Sequence, residues 1–239
     1  FYLMSNIRLF FSENLSINFC AKLNKPQSHY LNKVMRVKKN ENFSLFNHKG
    51  EWEAKINNIS KGIVEFSVTK QLRQTENRKE IWLAFSPIKL NYLNFMIQKA
   101  TELGVTKFIP IITDRTIVRK VNLNRLEKIV IESSEQSNRL KVPTIERAIS
   151  LENFIEKNKD LNVIFGDLNT DNQNLNKSKI SEKNQLCVLI GPEGDFTEME
   201  RKKIFGLNNL QCFKISHNIL RSETAAIATL SIINYLINL

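Results

Sequence analysis

The chain has 239 residues, enough for one large domain or two small ones around a sizeable core. Hydrophobic residues make up 42% and charged residues 25%, which sets it among globular rather than disordered chains, and no apolar run approaches the roughly 18 residues of a membrane span. Lys and Arg number 35 against 24 Asp and Glu, a formal +11, and such an excess favours phosphate polymers or an anionic surface as partners. Three cysteines, at 20, 187 and 212, are too few and too scattered for a disulfide framework, and no CxxC pair suggests zinc. Three histidines, at 29, 48 and 217, lie far apart, so no metal is expected. No charged-then-apolar leader opens the chain, and a reducing cytoplasm is the expected location.

The charge is concentrated in the first third. Residues 1–75 hold 12 Lys and Arg against 5 Asp and Glu, a net of +7, whereas residues 76–239 hold 23 against 19, a net of +4. Pro26 to Val37 is predicted as a short helix with Tyr30, Leu31, Val34 and Met35 on one face. Short alternating runs follow at Phe43–Phe46, Trp52–Ile56 and Ile63–Val68, separated by turns at Asn47–Gly50 and Lys61–Gly62. A small β-rich module is therefore expected over residues 1–73. Its basic residues Arg8, Lys33, Arg36, Lys38 and Lys39 are candidates for contact with a phosphate backbone. The polar stretch 71–80 is the predicted linker.

The remainder, residues 78–239, alternates strands and helices. Ile81–Phe85 is a strand-length apolar run. Leu93, Met96, Ile97, Ala100 and Leu103 form a helical stripe ended by Gly104. Val105–Ile112 is a predicted strand, and Leu123–Leu140 a helix with Asn122 or Asn124 as cap. Strands are predicted at Asn162–Phe165, Gln185–Ile190 and Gln211–Ile215, with helices at Glu198–Phe205 and Glu223–Ile237. Residues 168–184, rich in Asn, Lys and Ser, are expected to be a loop. This order predicts a parallel α/β sheet. It carries neither G-x-G-x-x-G after the first strand nor a P-loop pattern.

Two strand-to-helix segments stand out. Two of only seven glycines fall in Ile190-Gly191-Pro192-Glu193-Gly194-Asp195-Phe196, ahead of a helix that Thr197 is placed to cap. Such loops at the carboxyl edge of a parallel sheet bind ligands, although a plain capped turn accounts for the pattern equally well. The second segment is Ile219-Leu220-Arg221-Ser222-Glu223-Thr224-Ala225, with Ser222 a possible cap. A cation at a helix N-terminus opposes the helix dipole, so Arg221 implies an anionic partner there.

These two segments together resemble the signature of the bacterial small-subunit ribosomal RNA uracil-N3 methyltransferases of the SPOUT superfamily. Gln98-Lys99-Ala100-Thr101-Glu102-Leu103-Gly104-Val105 and Glu135-Gln136-Ser137-Asn138-Arg139 with Val142-Pro143 also match, and His29-Tyr30-Leu31 through Val34-Met35-Arg36 matches more loosely. The resemblance implies a PUA-like β-barrel that grips RNA, followed by a SPOUT-type parallel sheet whose C-terminal third forms a trefoil knot. It implies S-adenosylmethionine as cofactor, 16S ribosomal RNA or the small subunit as substrate, and a homodimer joined through the closing helix, with no metal and no membrane. Phe165, Gly166, Ile190, Gly191, Pro192, Glu193, Gly194, Ile215, Ile219 and Leu220 are the cofactor-binding candidates it implies. The family commonly has Gly at Ser216, and a positive φ there would strain the serine by about 1–2 kcal/mol.

Methylation at N3 of uracil needs an unpaired or flipped base, loss of the N3 proton, and a partner for the charge that develops on the flanking carbonyl oxygens. Arg139 and Arg221 are the candidates for that partner. Glu223 and Glu193 are candidates for accepting or orienting the proton. Two other readings are a related methyltransferase acting on a ribose 2′-hydroxyl and a catalytically silent RNA-binding protein.

Overall fold

The computed structural model of the protein describes residues 7–75, 79–172, 174–177, 180 and 185–238. The chain divides into two compact units, Phe1–Asn77 with Ser134–Val142 and Arg78–Ser133 with Pro143–Leu239.

The first unit contains β1 (Arg8–Phe10), β2 (Cys20–Lys22), α1 (Lys25–His29), β3 (Asn42–Asn47), β4 (Gly50–Ser60) and β5 (Ile63–Gln74). They form a five-stranded sheet in the order β1-β3-β4-β5-β2, with β1 parallel to β3 and the other pairs antiparallel. The β4–β5 hairpin turns at Lys61 and Gly62, whose φ values of +50° and +79° are those of a left-handed two-residue turn. Alternation along both strands then sends Trp52, Ala54 and Ile56 of β4 and Val64, Phe66 and Val68 of β5 into one core with Leu31, Phe43 and Leu45. Phe66 meets Phe11 and Phe43 edge-on, with ring centroids 5.5 and 5.9 Å away. Burying each such side chain contributes about 1.5–3 kcal/mol.

Three expectations fail here. The helix over 26–37 is α-helical only to His29. It then makes one π-helical turn, Tyr30–Val34, closed by the Met35 amide donating to the Tyr30 carbonyl, and Arg36 turns left-handed at φ +56°. The extra residue rotates Val34 out to 58% exposure while Leu31 stays fully buried. The linker is shorter than 71–80, because residues 71–74 belong to β5 and pair with β4. Within that stretch 76–78 lie outside the described residues.

Arg8 is not a phosphate contact either, for it is buried. Its Nε donates to Glu51 Oε1 at 2.9 Å, and its Nη atoms donate to the carbonyls of Ser134, Glu135 and Arg139 at 3.1, 2.9 and 3.0 Å. Its guanidinium lies 4.4 Å from the Phe46 ring centroid. Arg73 bonds the other oxygen of Glu51, which is fully buried, and also donates to Asn138 Oδ1 at 2.9 Å. Every donor of Arg8 is thus spent on a carboxylate and on the carbonyls that end a helix. Lys33, Arg36, Lys38 and Lys39 remain exposed.

The second unit contains β6 (Glu80–Phe85), α2 (Leu90–Glu102), β7 (Val105–Ile112), α3 (Leu123–Gln136), β8 (Thr144–Ile145), β9 (Ile149–Ser150), α4 (Leu151–Lys157), β10 (Asn162–Gly166), β11 (Gln185–Ile190), α5 (Glu198–Phe205), β12 (Leu210–Phe213) and α6 (Ser222–Asn238). The last residues of α3 group with the first unit. The sheet order is β12-β10-β11-β6-β7-β8, with β9 also on β7 and each pairing parallel. Asn122 caps α3 by accepting from the Arg125 amide at 3.1 Å. The helix stops at Gln136 rather than Leu140 because Asn138 turns left-handed at φ +62°. Gly104 follows α2 at φ +95°, and Asn234 of α6 donates to the Leu103 carbonyl at 2.6 Å, which satisfies an end that the helix leaves open. β12 starts and ends earlier than expected, at Leu210 and Phe213. The expected loop 168–184 falls partly outside the described residues.

Candidate active site

β12, β10 and β11 are adjacent and parallel, so the chain leaves all three at one edge of the sheet. At that edge lies a cavity of about 230 Å³ walled by three segments. Phe165 and Gly166, with Asp167 and Leu168, form one wall. Ile190, Gly191, Pro192 and Glu193, with Asp195, form the second. Ile215, Ile219 and Leu220, with Ser216 and then Arg221, Ser222 and Ala225 at the start of α6, form the third. Of the ten cofactor candidates only Gly194 is not among the lining residues. Its carbonyl accepts instead from Arg115 Nη1 at 2.7 Å.

The walls interlock through what the glycines leave out. A Cβ on Gly166 would lie 2.5 Å from Ile215 Cδ1, so the first wall closes on the third only without one. A Cβ on Gly191 would lie 2.7 Å from Phe196 Cε2, and Phe196 is buried against Phe165 at 5.6 Å. The left-handed residue of the second loop is Asp195, at φ +59°, whose Oδ1 accepts from the Phe196 amide. Thr197 caps α5 as expected, in a reciprocal box with Glu200. Glu200 also accepts from the Asp114 amide at 2.9 Å. Ser222 does not cap α6. Its hydroxyl donates to the Gly191 carbonyl at 3.0 Å and joins second wall to third, while the Arg221 carbonyl takes the first helical bond, from Ala225. Ser216 is not among the described residues with positive φ, so the strain expected of a left-handed serine does not arise. Its Oγ accepts from the Asn218 amide at 3.0 Å.

Beneath the cavity lies a group that sequence reasoning missed. Arg201 of α5 donates to Asp167 Oδ2 at 2.6 Å and lies 3.7 Å from Asp195 Oδ2, so one guanidinium serves two walls. It also packs 5.7 and 5.5 Å from the Phe165 and Phe205 ring centroids. The hydrogen bond to Asp167, and secondarily that carboxylate's charge, hold Arg201 above the usual arginine pKa. Nearby, burial and the Asp167 charge push the Cys212 thiol up to about 11, and burial pushes Cys187 up to about 12. At pH 8 both thiols stay protonated and inert while exposed Cys20 is accessible. Iodoacetamide on the folded protein is therefore expected to label Cys20 alone, as read by peptide mass spectrometry.

Arg221 is exposed, and its Nη1 lies 3.2 Å from the Tyr92 hydroxyl with the guanidinium 5.4 Å from that ring's centroid. Glu223 is buried in the first turn of α6 but does not line the cavity. Glu193 is exposed at its rim. Arg139 falls in the first unit, where its carbonyl accepts from Arg8, and is not a lining residue.

A family model described as an RNA methyltransferase domain matches residues 75–234, and one described as an RNA methyltransferase PUA domain matches residues 23–69. The ribosomal RNA small subunit methyltransferase E of Rickettsia conorii is 35% identical over 227 residues, covering 94% of this chain and 93% of that one. The chain belongs to this methyltransferase family. Two solved structures share its fold over nearly full length. The Neisseria gonorrhoeae ribosomal RNA small subunit methyltransferase E bound to S-adenosyl methionine is 30% identical, with a TM-score of 0.86 over 96% of this chain and 97% of that one. A putative methyltransferase of Legionella pneumophila in complex with the same cofactor is 25% identical, with the same TM-score and coverage. The fold class expected from the sequence holds as an α/β parallel sheet with a PUA-like module.

The lining suits such a cofactor. Ile190, Ile215, Ile219 and Leu220 offer apolar faces to a planar base, and main chain at Gly166 and Gly191 is bare of side chain. The interlock is testable. Gly166→Ala is expected to weaken S-adenosylmethionine binding severalfold in calorimetry, and Ile215→Val, which removes the clashing Cδ1, is expected to restore most of it in the double variant.

Proposed function

We infer that the protein transfers a methyl group from S-adenosylmethionine to N3 of a specific uridine in 16S ribosomal RNA of the small subunit. The observation that carries this is the cavity at the carboxyl ends of β10, β11 and β12, in a chain of the methyltransferase E family. S-adenosylmethionine, when bound, supplies a methyl group already activated on a sulfonium. The protein's part is to align the base and manage charge. Main chain of the second and third walls, with Phe165, Gly166, Ile190 and Leu220, would hold the cofactor. Arg221, at the cavity and exposed, faces the charge that forms on the uracil carbonyls when N3 loses its proton. Glu223, buried one helical position beyond Ser222, and Glu193 at the rim are the groups that would orient or take that proton.

Residues 1–73 form the RNA-gripping PUA-like module in this reading, with Lys33, Arg36, Lys38 and Lys39 on phosphates, and residues 78–239 the catalytic domain. The strand order, in which β12 returns beside β10, supports a threaded trefoil knot of SPOUT type in the C-terminal third. Exposed Leu90, Phe95 and Tyr235 on the mutually packed helices α2 and α6 support a homodimer.

The test is incubation with labelled S-adenosylmethionine and unmethylated 16S ribosomal RNA or small subunits, followed by nucleoside analysis. N3-methyluridine is expected. A ribose 2′-O-methyl product, or no product with intact RNA binding, rejects the assignment. Arg221→Ala is expected to lower turnover at least a hundredfold with cofactor affinity within twofold of wild type. Parallel loss of affinity rejects the role for that arginine.

A further inference from the structure

We propose that residues 114–128 of the second unit form a cationic track that seats RNA phosphates at the rim of the cavity, separate from the basic residues of the first unit. The proposal rests on the RNA methyltransferase function and adds to it where the catalytic unit itself holds the RNA.

Arg115, Arg119, Lys120, Arg125 and Lys128 are all exposed, and the stretch contains only two acids, Asp114 and Glu127. Among the described residues none of the five takes part in an ion pair. Elsewhere on the surface Lys22, Lys70, Lys99, Lys107 and Lys203 each have a carboxylate partner. The track's own Asp114 is turned toward α5, where its amide donates to Glu200 and its carboxylate lies 3.5 Å from the Thr197 hydroxyl. The cations are thus left without counter-charge inside the protein, which is the state that counterion release on phosphate binding requires.

Position distinguishes the track from an ordinary solvated surface. Arg115 grips the Gly194 carbonyl between Glu193 and Asp195, both of which line the cavity. From that point the chain runs through Arg119 and Lys120 to α3, where Arg125 and Lys128 lie one turn apart on an exposed face. A strand whose target base enters the cavity would carry its flanking phosphates past these groups.

The experiment compares two triple variants with matched charge change. One is Arg119→Gln, Lys120→Gln, Arg125→Gln; the other, away from the track, is Lys157→Gln, Lys159→Gln, Lys202→Gln. Binding of in-vitro transcribed 16S ribosomal RNA is measured across salt concentrations, with S-adenosylmethionine binding measured by calorimetry. In the track variant the slope of log affinity against log salt is expected to shallow by about 0.7–0.9 for each phosphate no longer neutralised. Affinity at low salt is expected to fall at least tenfold and cofactor affinity to stay within twofold. The control variant is expected to keep the wild-type slope. An unchanged slope in the track variant, an equal change in the control, or a parallel loss of cofactor binding overturns the proposal. Failure of the methyltransferase function itself is distinct, since wild-type protein would then yield no methylated nucleoside.

Discussion

Arg201→Met is expected to weaken S-adenosylmethionine binding at least tenfold and to destabilise the second unit by about 2–4 kcal/mol, somewhat below the roughly 3–5 kcal/mol for breaking a fully buried ion pair because the Arg201 side chain is 16% exposed. The Asp167 side chain is 2% exposed, and without Arg201 its carboxylate keeps the Asn169 amide, 2.9 Å away, as a donor. Methionine preserves much of the contact with Phe165 and Phe205, so the loss reports charge rather than volume. Because Asp167 and Asp195 sit on different walls, losing the shared cation frees both at once. Adding Asp167→Asn removes the stranded charge, and the double variant is expected to recover at least half of the lost stability. Melting curves and calorimetric titration of the four proteins complete the cycle, and a double variant whose loss equals the sum of the two single losses would show that the pair is not coupled.

That ion pair also marks the limit of what the sequence shows. The second and third walls are legible because chemistry is written locally. Gly191, Pro192 and Gly194 between an apolar run and a cap, and Arg221 at a helix start where a cation is disfavoured, each violate an ordinary expectation. Asp167 and Arg201 violate none. Thirty-four residues separate them, an acid after a strand and a base on a helix are both commonplace, and only the closing of β10 against α5 makes them partners. Capping is the commonest job of a serine at a helix start, and local pattern gives Ser222 no other. The Gly191 carbonyl that takes its hydroxyl instead is 31 residues away and invisible to local reasoning.

The fold shows the same division. The β4–β5 hairpin and the stripe of α2 follow from periodicity and turn chemistry, and both hold. The π-helical turn after His29 carries no sequence signature, so Val34 rotates away from the face that a regular helix gives it. The return of residues 134–142 to the first unit rests on Arg8 and Arg73 reaching carbonyls and an amide oxygen across more than sixty positions. Composition counts Arg8 as surplus positive charge for a phosphate, and only its burial shows that the charge is already spent.

Glu51→Ala is therefore expected to be the most damaging single change in the first unit, at about 3–5 kcal/mol. Glu51 is fully buried and holds Arg8, whose side chain is 7% exposed, on one oxygen and Arg73 on the other. Alanine leaves two guanidinium groups converging on an empty position, and Arg8 then has only carbonyls as acceptors. The damage should reach the 134–142 segment as well, because the same two arginines bond Ser134, Glu135, Asn138 and Arg139. Hydrogen exchange is expected to quicken at the Phe10 amide, which donates to the Glu135 carboxylate at 2.9 Å, and at the Arg139 amide, which donates to the Ser134 carbonyl at 3.1 Å. The contrasting variant removes every charge together, as Arg8→Met, Glu51→Leu and Arg73→Leu. Buried ionic clusters replaced by apolar side chains of similar volume commonly lose little stability, so this triple variant is expected to melt well above Glu51→Ala. If exchange in 134–142 nevertheless stays fast in the triple variant, the network's role is to hold that segment and with it Arg139. Protection equal to wild type would instead assign the cluster to nothing more than filling the space beneath β4.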